Sequence, residues 1–572
     1  MDPRRYIRQV SAGRLEIGIG MSTLISRLEQ ATARRGGITF VGDGVTARVP
    51  WAELHDGARG MAAVLQARGV GPGDHVAVLG PTSQGLVTAL QATWLAGATL
   101  VPLPLPLRLG SLEAFVAQTR ARLHQAGVAL VVADPGLEQF LALEVADPPV
   151  VPLPQLTTGP GRPGPEGYEP PAEDPSALAI VQFTSGSTTD PKGVMLPHAQ
   201  VCANLDALVA AARIDPDTDV AVSWLPLYHD MGLIGLLGLP MTTGTELVLA
   251  APQAFLSRPG RWLEWLSGFG ATFTGGPNFA YALAARALAR LGNLDLSRVR
   301  FACNGAETID PATVEAFTAS AARHRLDPGT MLCGYGLAEA TLAVTFPEPG
   351  TGLRTDTVER RALERERRAV PASGGAESCR RLTRLGQPLP GLELRIVDPA
   401  TGVALPERTV GEIEVAGTSV SPGYYGRPDA TAAAFHDGFL RTGDLGYLAE
   451  ADLVVCGRVK DVIIAGGRNV FPEDVEWAVG TIEGVRGGNV VAFGVQGRHG
   501  REALVVIAET RTNDVASLRH VVAQRTRATV GLSPADVVLV PPGTLPKTTS
   551  GKLQRSLSRD RYLADQLTTA QA

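Results

Sequence analysis

The chain has 572 residues, of which 45% are hydrophobic, and its 52 basic and 57 acidic side chains give a net charge of -5. This length predicts more than two folding units around a sizeable buried core. The nearly balanced, slightly acidic charge argues against binding to nucleic acid or to an anionic membrane, so small molecules and proteins are the expected partners.

The sequence offers no segment suited to crossing a membrane. Its most apolar stretch, residues 231–245, is shorter than the roughly 20 residues that a spanning helix needs and is interrupted by Gly and Pro. The first 20 residues carry scattered charges and lack the apolar run of a signal peptide. The five cysteines are widely spaced, without a C-x-x-C pair, which indicates reduced thiols. We therefore expect a cytoplasmic protein with no stable membrane insertion.

Short apolar runs alternate with helix-like segments along much of the chain. Residues 75–79 (HVAVL) and 177–183 (ALAIVQF) have the length and composition of buried strands, and residues 83–96 are typical of a helix. This alternation predicts an α/β fold with parallel sheets.

A polar run follows the second of these strands. Residues 184–193 read T-S-G-S-T-T-D-P-K-G, which combines glycines that let the backbone approach an anion, hydroxyl donors and the cation of Lys192. The composition predicts a site for a polyphosphate, although the G-x-x-x-x-G-K-[ST] spacing of a P-loop is absent. For this segment taken alone, a Ser/Thr/Gly surface turn is the alternative.

Six further motifs follow in order. They are S-W-L-P-L-Y-H-D-M-G-L-I-G (residues 223–235), C-N-G-A-E (303–307), G-Y-G-L-A-E-A-T (334–341), R-T-G-D-L-G (441–446), G-R-V-K-D-V-I-I (457–464) and P-K-T-T-S-G-K-L-Q-R (546–555). Together with residues 184–193, this ordered set resembles the adenylate-forming superfamily of acyl-CoA synthetases, luciferases and peptide-synthetase adenylation domains. The resemblance extends from about residue 51 to residue 555.

The resemblance implies two parts joined by a hinge. Residues 1–458 are expected to form a large α/β N-terminal lobe of parallel and mixed sheets flanked by helices, and residues 459–572 a small mobile α+β C-terminal lid. In the lid, residues 489–493 and 503–509 predict strands and residues 517–529 a helix. The hinge is expected at Lys460 or Asp461, since a few residues suffice to absorb a large backbone change.

The same resemblance assigns residues to ATP and Mg²⁺. The β- and γ-phosphates are expected to contact Thr184, Ser185, Gly186, Ser187, Thr188 and Lys192. Glu339 takes the place of the carboxylate that binds Mg²⁺, a hard cation that prefers oxygen ligands. The adenine and the ribose are expected to contact Asn304, Gly305, Ala306, Glu307, Gly334, Tyr335, Gly336, Asp444 and Arg458. A buried structural tyrosine and a solvated glutamate are the alternatives for Tyr335 and Glu339 considered alone.

Lys552 in T-S-G-K is the expected catalytic residue, because a cation that contacts both the carboxylate and the α-phosphate offsets the repulsion between the two anions. His229 and Glu339 complete the expected catalytic set, although a lone histidine is more often structural. The resemblance places the acyl pocket at Tyr228, His229, Leu233, Ile234 and Phe279.

Residues 351–384 form a charged, Arg-rich segment, which predicts a solvated helix with loops at the surface. At this place in the superfamily, an extra segment resembles the insertion of the fatty acyl-AMP ligases, and several of the motifs are similar to that branch as well. The resemblance implies that the segment, called the insertion below, resists rotation of the lid and disfavours the use of free CoA.

The predicted function is ATP-dependent conversion of a fatty or similarly apolar carboxylic acid to acyl-AMP and pyrophosphate. The acyl group would then pass to the phosphopantetheine thiol of a separate carrier protein. A full acyl-CoA ligase and a degenerate regulatory protein that binds nucleotide or acyl ligands are the alternatives. A dinucleotide-dependent oxidoreductase is disfavoured, because no G-x-G-x-x-G follows an N-terminal strand with an acidic residue about 20 positions later.

Overall fold

A computed structural model describes residues 22–42, 47–106, 112–138, 141, 144, 146–157, 164–184, 192–375, 378–496, 502–548 and 551–570. The strands are β1 (Gly37–Val41), β2 (Arg48–Pro50), β3 (His75–Leu79), β4 (Thr99–Pro102), β5 (Leu130–Ala133), β6 (Val150–Pro152), β7 (Leu178–Phe183), β8 (Gly193–Pro197), β9 (Val220–Ser223), β10 (Glu246–Ala250), β11 (Phe273–Gly276), β12 (Phe301–Asn304), β13 (Met331–Cys333), β14 (Tyr335–Gly336), β15 (Ala343–Phe346), β16 (Thr355–Glu359), β17 (Cys379–Thr383), β18 (Gln387–Pro388), β19 (Leu392–Val397), β20 (Gly411–Gly417), β21 (Phe435–His436), β22 (Phe439–Ala449), β23 (Asp452–Arg458), β24 (Ile463–Ala465), β25 (Arg468–Val470), β26 (Val485–Gln496), β27 (Glu502–Thr510) and β28 (Asp536–Val540). The helices are α1 (Leu24–Ala31), α2 (Trp51–Ala67), α3 (Gln84–Leu95), α4 (Leu112–Gln125), α5 (Pro135–Glu138), α6 (His198–Ala212), α7 (Leu239–Thr243), α8 (Pro252–Ser257), α9 (Gly260–Gly268), α10 (Asn278–Leu288), α11 (Pro311–Ala321), α12 (Arg360–Glu366), α13 (Pro428–Ala434), α14 (Pro472–Gly480), α15 (Val515–Val530) and α16 (Arg555–Leu563). The predicted α/β fold is confirmed.

Two large sheets form the body of the N-terminal lobe. One has the strand order β6-β5-β3-β4-β7-β8 and the other β13-β12-β11-β9-β10-β1-β2. Neighbouring strands run parallel except at one edge of each sheet, where β7 pairs with β8 and β1 with β2 in antiparallel fashion. The burial of β3 and β7 on both faces explains their continuous apolar sequences.

The order of the seven-stranded sheet brings distant sequence motifs together. Strands β9, β11, β12 and β13 are consecutive parallel neighbours, so their carboxyl ends lie along one edge of the sheet. Ligands of open parallel sheets bind outside the carboxyl ends of the strands. The segments that follow these four strands contain His229, Phe279, Glu307 and Tyr335.

The separate C-terminal lobe, predicted to span residues 459–572, is built on the sheet β26-β27-β28. Val490 and Ala492 face a core shared with α14 and α15, whereas Val491 and Phe493 face a second core that includes Tyr562 of α16. Because both faces of the sheet are covered, the strands are apolar at successive positions. The lid strands and the helix expected near residues 517–529 are confirmed, and the exact boundary at residues 458 and 459 stays a prediction.

The insertion differs from the expectation of a solvated helix with loops. It contains the antiparallel pair β16 and β17 together with the short helix α12. Arg380 and Glu364, two of its charged side chains, are only 3% and 2% exposed. The expected helix and the exposed charges are present, at α12 and at residues such as Arg361 and Arg365, but the burial of Arg380 and Glu364 was not expected. These two charges pair with residues far away in the sequence, which composition does not reveal.

Within the described ranges, no helix combines the length and the apolar character needed to cross a bilayer. The apolar stretch at residues 231–245 instead forms a π-helix, Met231–Gly238, followed directly by α7. Leu233, Ile234 and Leu237 on the π-helix are buried in the core of the N-terminal lobe. π-Helices are rare and occur most often near functional sites.

Candidate active site

The predicted phosphate loop connects β7 to β8. The backbone N–H of Thr184 donates to the carbonyl of Lys192 at 3.2 Å, so the two ends of the loop are held together at its base. Ser185, Gly186, Ser187 and Thr188 lie outside the described residues. The Lys192 ammonium is 4.8 Å from the centre of the Tyr424 ring, a cation–π contact that directs this charge toward the carboxyl edge of the sheets.

Glu339 lies on a single 3₁₀ turn, Ala338–Ala340, which follows β14. The Tyr424 hydroxyl donates to Glu339 Oε1 at 2.9 Å, and the Ser421 N–H donates to the Glu339 carbonyl at 2.8 Å. Burial raises the pKa of the Glu339 carboxyl, and the Tyr424 hydrogen bond acts in the opposite direction. A cation placed at this carboxylate would restore its charged form.

Tyr424 is a residue that the sequence analysis missed. It is 6% exposed and contacts both Lys192 and Glu339, the two residues expected at the phosphates and at the metal. The available signal was the run S-P-G-Y-Y-G-R-P at residues 421–428, where turn residues surround two tyrosines. Without the fold, nothing connects this run to a loop more than 200 residues earlier.

The donor set around Glu339 fits Mg²⁺ bound together with a phosphate ligand. In the part of the chain that the structure describes, no group of three or more His, Cys, Asp or Glu side chains is arranged to hold a metal ion. Mg²⁺ characteristically binds through one or two carboxylates plus substrate phosphates and waters, so a single glutamate beside a phosphate loop is an adequate protein contribution.

Tyr335, Asp444 and Arg458 form one connected group at the predicted nucleoside position. The Tyr335 hydroxyl donates to Asp444 Oδ2 at 2.7 Å, and Arg458 Nε lies 3.0 Å from Asp444 Oδ1. Asp444 and Arg458 are direct partners across β22 and β23, which explains how two residues from different motifs, 14 positions apart, meet. Burial is the main reason that the pKa of Tyr335 lies well above its usual value. The carboxylate is thus held in place by a donor on each oxygen.

The other residues predicted at the nucleoside have different surroundings. Asn304 ends β12, where its Nδ2 donates to Asn278 while its Oδ1 is buried without a hydrogen-bond partner. A Cβ on Gly336 would lie 1.9 Å from the Leu342 carbonyl oxygen, so this glycine is required by the β14–β15 pairing. Gly305 and Gly334 approach each other at the ends of β12 and β13, next to the exposed Ala306.

Glu307 lies apart from the Tyr335 group. Its Oε1 accepts a hydrogen bond of 2.7 Å from the backbone N–H of Phe279, in the first turn of α10. Burial raises the pKa of the Glu307 carboxyl, whereas the charges of Lys552 and Lys547 act to lower it. The structure thus places Glu307 beside the C-terminal lysines, and its expected nucleoside contact stays a prediction.

His229 and Asp230 follow β9 at the same edge. Burial, and to a smaller extent the charge of Lys552, lowers the pKa of His229 to about 3. The imidazole is therefore neutral near pH 7. His229 Nε2 is buried and has no hydrogen-bond partner among the described residues, so it is available to a ligand. Asp230 Oδ1 accepts from the Met231 N–H at 2.7 Å and so fixes the start of the π-helix.

The residues predicted for the acyl pocket do not line one common cavity. Leu233 and Ile234 border a small void together with Trp94, Ile180 and Met241. Tyr228 borders a separate small void near the carboxyl ends of β3 and β4. Phe279 instead faces the C-terminal lobe, since a Cβ on Gly551 would lie 3.8 Å from its ring.

Lys552 is carried by a tight hairpin of the C-terminal lobe. The Thr548 N–H donates to the Lys552 carbonyl at 2.8 Å, and the Gln554 N–H donates to the Pro546 carbonyl at 3.0 Å. Burial lowers the pKa of Lys552, while Asp230 and Glu307 are the main charges that favour its protonated form. The structure therefore brings Lys552 to the N-terminal lobe beside the residues that follow β9 and β12. Residues 546–554 are called the catalytic hairpin below; Thr549 and Ser550 are outside the described residues.

The predicted hinge is tied to the catalytic hairpin by Arg555. This guanidinium pairs with Asp461, and with Glu473 and Glu476 at 3.1 and 3.0 Å. Burial opposes the charge of Arg555, but the three carboxylates prevail and raise its pKa. The sequence analysis placed Arg555 at the end of a motif without giving it a role. Arg555 directly follows the hairpin, so its ion pair with Asp461 connects the hairpin to the predicted hinge.

The AMP-binding enzyme family matches residues 28–425 of the sequence. The chain belongs to this family. It is therefore an adenylate-forming acid ligase that uses ATP.

Comparison with individual proteins shows which members of the family the chain is similar to. It is 41% identical over 520 residues to the putative ligase Rv1013 of Mycobacterium tuberculosis, which covers 89% of this chain and 94% of that protein. It is 35% identical over 560 residues to the long-chain-fatty-acid--AMP ligase FadD26 of Mycobacterium marinum, with 91% and 93% covered. A solved structure from studies of fatty acyl-adenylate ligases of E. coli and L. pneumophila superposes with a TM-score of 0.88 at 31% identity, covering 95% and 98% of the two chains. The expected resemblance to fatty acyl-AMP ligases is confirmed.

Proposed function

We propose that this ligase joins a fatty or similarly apolar carboxylic acid to AMP and transfers the acyl group to the phosphopantetheine thiol of a separate carrier protein. The acid's carboxylate oxygen attacks the α-phosphorus of ATP, the bond to the β-phosphate oxygen breaks, and pyrophosphate leaves. The observation that carries the proposal is the set of buried ion pairs between the insertion and the C-terminal lobe. These pairs hold the lobe where Lys552 faces the large lobe.

Adenylate formation depends on positioning and on charge stabilisation. Lys192 and the 184–193 loop would hold the β- and γ-phosphates, while Asp444 would accept the ribose hydroxyls. Lys552 would contact both the acid's carboxylate and the α-phosphate, reducing their repulsion during attack. Glu339 would hold Mg²⁺, which supplies charge neutralisation at the phosphates when bound.

An apolar acid is supported by the apolar residues of the π-helix that begins just after His229. Leu233 and Ile234 of this helix border a small void whose other apolar neighbours include Trp94, Val201, Leu205 and Met241. By the resemblance to peptide-synthetase adenylation domains, Tyr228 and His229 take the place of the aspartate that faces an α-amine in those domains. A neutral imidazole and a phenol offer no counter-ion for an amino group, which disfavours an α-amino acid.

Asp474 of α14 is held by two arginines of the insertion. Arg360 Nη1 lies 2.7 Å from Asp474 Oδ2, and Arg380 Nε lies 2.8 Å from Asp474 Oδ1. Arg380 is 3% exposed and its guanidinium also lies 4.2 Å from the centre of the Phe471 ring. Since a buried charge that loses its partner is costly, separating α14 from the insertion is unfavourable.

A second contact lies beside the first. Arg468 of β25 pairs with Glu364 of the insertion, and Asn469 Nδ2 donates to the Glu364 carbonyl at 3.1 Å. Phe471, only 2% exposed, packs into a core formed with Val358, Leu363 and Leu382 of the insertion. Rotation of the lid about Lys460 and Asp461 would have to break both ion-pair groups and withdraw Phe471. We expect this cost to slow use of free CoA as an acceptor.

The proposal predicts a specific product pattern. Purified ligase incubated with ATP, Mg²⁺ and a graded series of fatty acids is expected to yield acyl-AMP that accumulates and is unchanged by CoA, as measured by mass spectrometry of the products. Addition of a phosphopantetheinylated carrier protein should consume the acyl-AMP. Prompt formation of acyl-CoA would establish the CoA ligase alternative, and no adenylate from any acid would favour a degenerate binding protein.

Weakening the insertion contact is expected to increase CoA use. The variant R360M/R468M removes one cation from each ion-pair group but leaves Asp474 paired with Arg380. We expect acyl-CoA formation to rise about tenfold, corresponding to about 1.4 kcal/mol of lost resistance to rotation, with acyl-AMP formation nearly unchanged. The measurement is the initial rate of each product.

Arg381→Met is the matched control for this variant. Arg381 also belongs to the insertion, on β17, but it pairs with Glu315 of the N-terminal lobe at 2.7 Å. It should therefore leave the ratio of acyl-CoA to acyl-AMP unchanged. An equal rise in acyl-CoA for R381M, or no rise for R360M/R468M, would show that the contact with the C-terminal lobe does not exclude CoA.

A further inference from the structure

Lysine is rare in this chain and is confined to the segments of the proposed reaction. It occurs only four times in the sequence, at Lys192, Lys460, Lys547 and Lys552, whereas nearly all other cations are arginines. Lys192, Lys460 and Lys552 have expected roles at the phosphates, the hinge and the reacting groups. Lys547, in the catalytic hairpin with Lys552, has none so far.

The catalytic hairpin places Lys547 and Lys552 on one rigid turn. Lys547 and Leu553 form an antiparallel bridge, which sets the two arms of the turn side by side. The Lys552 N–H donates to Thr548 Oγ1 at 3.1 Å, and the Gly551 N–H donates to the Thr548 carbonyl at 2.9 Å. Because these bonds lie within the hairpin, Lys547 and Lys552 are carried together when the C-terminal lobe moves.

Glu307 is the carboxylate of the N-terminal lobe that both lysines affect. Lys552 and Lys547 each act on its pKa, and Glu307 in turn favours the protonated form of Lys552. Direct packing supports the same placement, since the position of a Cβ on Gly551 lies 3.8 Å from the Phe279 ring. The backbone N–H of Phe279 donates to Glu307, so the surface that the hairpin touches and the carboxylate belong to one unit.

We propose that Glu307 is a positioning residue that holds the catalytic hairpin on the N-terminal lobe through the positive charges of Lys547 and Lys552. This inference rests on the proposed function, because it assigns the hairpin to adenylate formation. Asp230 and Asp444 also attract Lys552, whereas Arg458 repels it. The charge of Lys547 acts on Glu307 as well. Glu307 thus draws the whole hairpin into place before a nucleotide binds.

The test uses the scarcity of lysine. In the nucleotide-free ligase, an amine-acylating reagent followed by peptide mass spectrometry reports separately on each of the four lysines. Glu307→Gln keeps an oxygen that accepts the hydrogen bond from Phe279 but removes the negative charge. The reactivity of Lys547 and Lys552 toward the reagent is therefore expected to rise about fivefold to tenfold, which corresponds to a lost coupling of about 1 kcal/mol. The reactivity of Lys192 should be unchanged. Glu348→Gln, at an exposed glutamate paired with Arg213, is the matched control and should change none of them.

Kinetics give a second measurement. Glu307→Gln is expected to slow acyl-AMP formation about tenfold at low salt, and the difference from wild type should shrink at about 1 M NaCl, where screening is strong. Lys547→Gln should slow the reaction similarly, and the double variant should be no slower than either single variant.

The outcomes separate this inference from the proposed function. The inference would be overturned if Glu307→Gln slowed acyl-AMP formation equally at low and high salt and left the reactivity of the lysines unchanged. Glu307 would then serve only as a cap of α10. If Glu307→Gln fails to fold, Lys547→Gln alone gives the test. The inference would be overturned if high salt slowed acyl-AMP formation by the same factor in Lys547→Gln as in wild type. If wild type forms no acyl-AMP, the proposed function fails, yet the reactivity of Lys547 in the nucleotide-free protein still decides whether Glu307 holds the hairpin.

Discussion

Replacing Lys552 by methionine is expected to reduce acyl-AMP formation by about 10²- to 10³-fold, the loss typical for removing one preorganised charge-stabilising donor. Methionine keeps the length and apolar stem of lysine but not its cation, so the acid's carboxylate and the α-phosphate would repel each other without compensation. The measurement is the rate of pyrophosphate release with saturating ATP and acid, since the lost interaction is made during attack.

Arg559→Met is the matched control, because this residue lies exposed on α16, just after the catalytic hairpin. It should retain wild-type activity. Transfer of the acyl group from supplied acyl-AMP to a carrier protein should persist in K552M, since Lys552 is assigned only to adenylate formation. Adenylate formation by K552M within threefold of wild type would remove Lys552 from the chemical step.

Replacing Glu339 by glutamine is expected to slow acyl-AMP formation at least about 10²-fold, because metal-mediated neutralisation of phosphate charge is worth several kcal/mol. Glutamine can still accept the hydrogen bond from Tyr424, so the local fold should be kept. The ligase should need more Mg²⁺ for half-maximal activity, and ATP should bind more weakly in the presence of Mg²⁺ as measured by calorimetry.

Glu348→Gln again provides a surface control for the loss of one carboxylate. An unchanged Mg²⁺ requirement in Glu339→Gln, together with a lowered thermal unfolding temperature, would indicate that Glu339 only stabilises the turn after β14. A raised Mg²⁺ requirement at an unchanged unfolding temperature would assign it to the metal.

The individual strands and helices were the features most open to sequence reasoning. The predicted strands at residues 75–79 and 177–183 appear as His75–Leu79 and Leu178–Phe183, and the helix expected at 83–96 is Gln84–Leu95 with Ser83 as its N-cap. These segments carry strong local patterns: continuous apolar strands buried on both faces, and a serine that accepts from the Leu86 N–H.

The insertion shows where such reasoning ends. Its composition of alternating Arg and Glu is that of a solvated surface, yet Arg380 and Glu364 are buried. Their partners, Asp474 and Arg468, are roughly 100 residues further along the chain. Local charge patterns report solubility, not pairing, so burial of these side chains was not available from the sequence.

By itself, the sequence determined the adenylate-forming family and the chemical groups that the chain carries, in their order: the polar run at residues 184–193, the acidic residues Glu339 and Asp444, and Lys552. These depend on residue type and local spacing, which the sequence states directly. Only the tertiary structure decided which of them meet, because contacts such as Tyr424 with Glu339, Glu307 with the N-terminus of α10 and Asp474 with the insertion join segments that the sheet order brings together. Long-range packing selects these partners, and no local pattern encodes it.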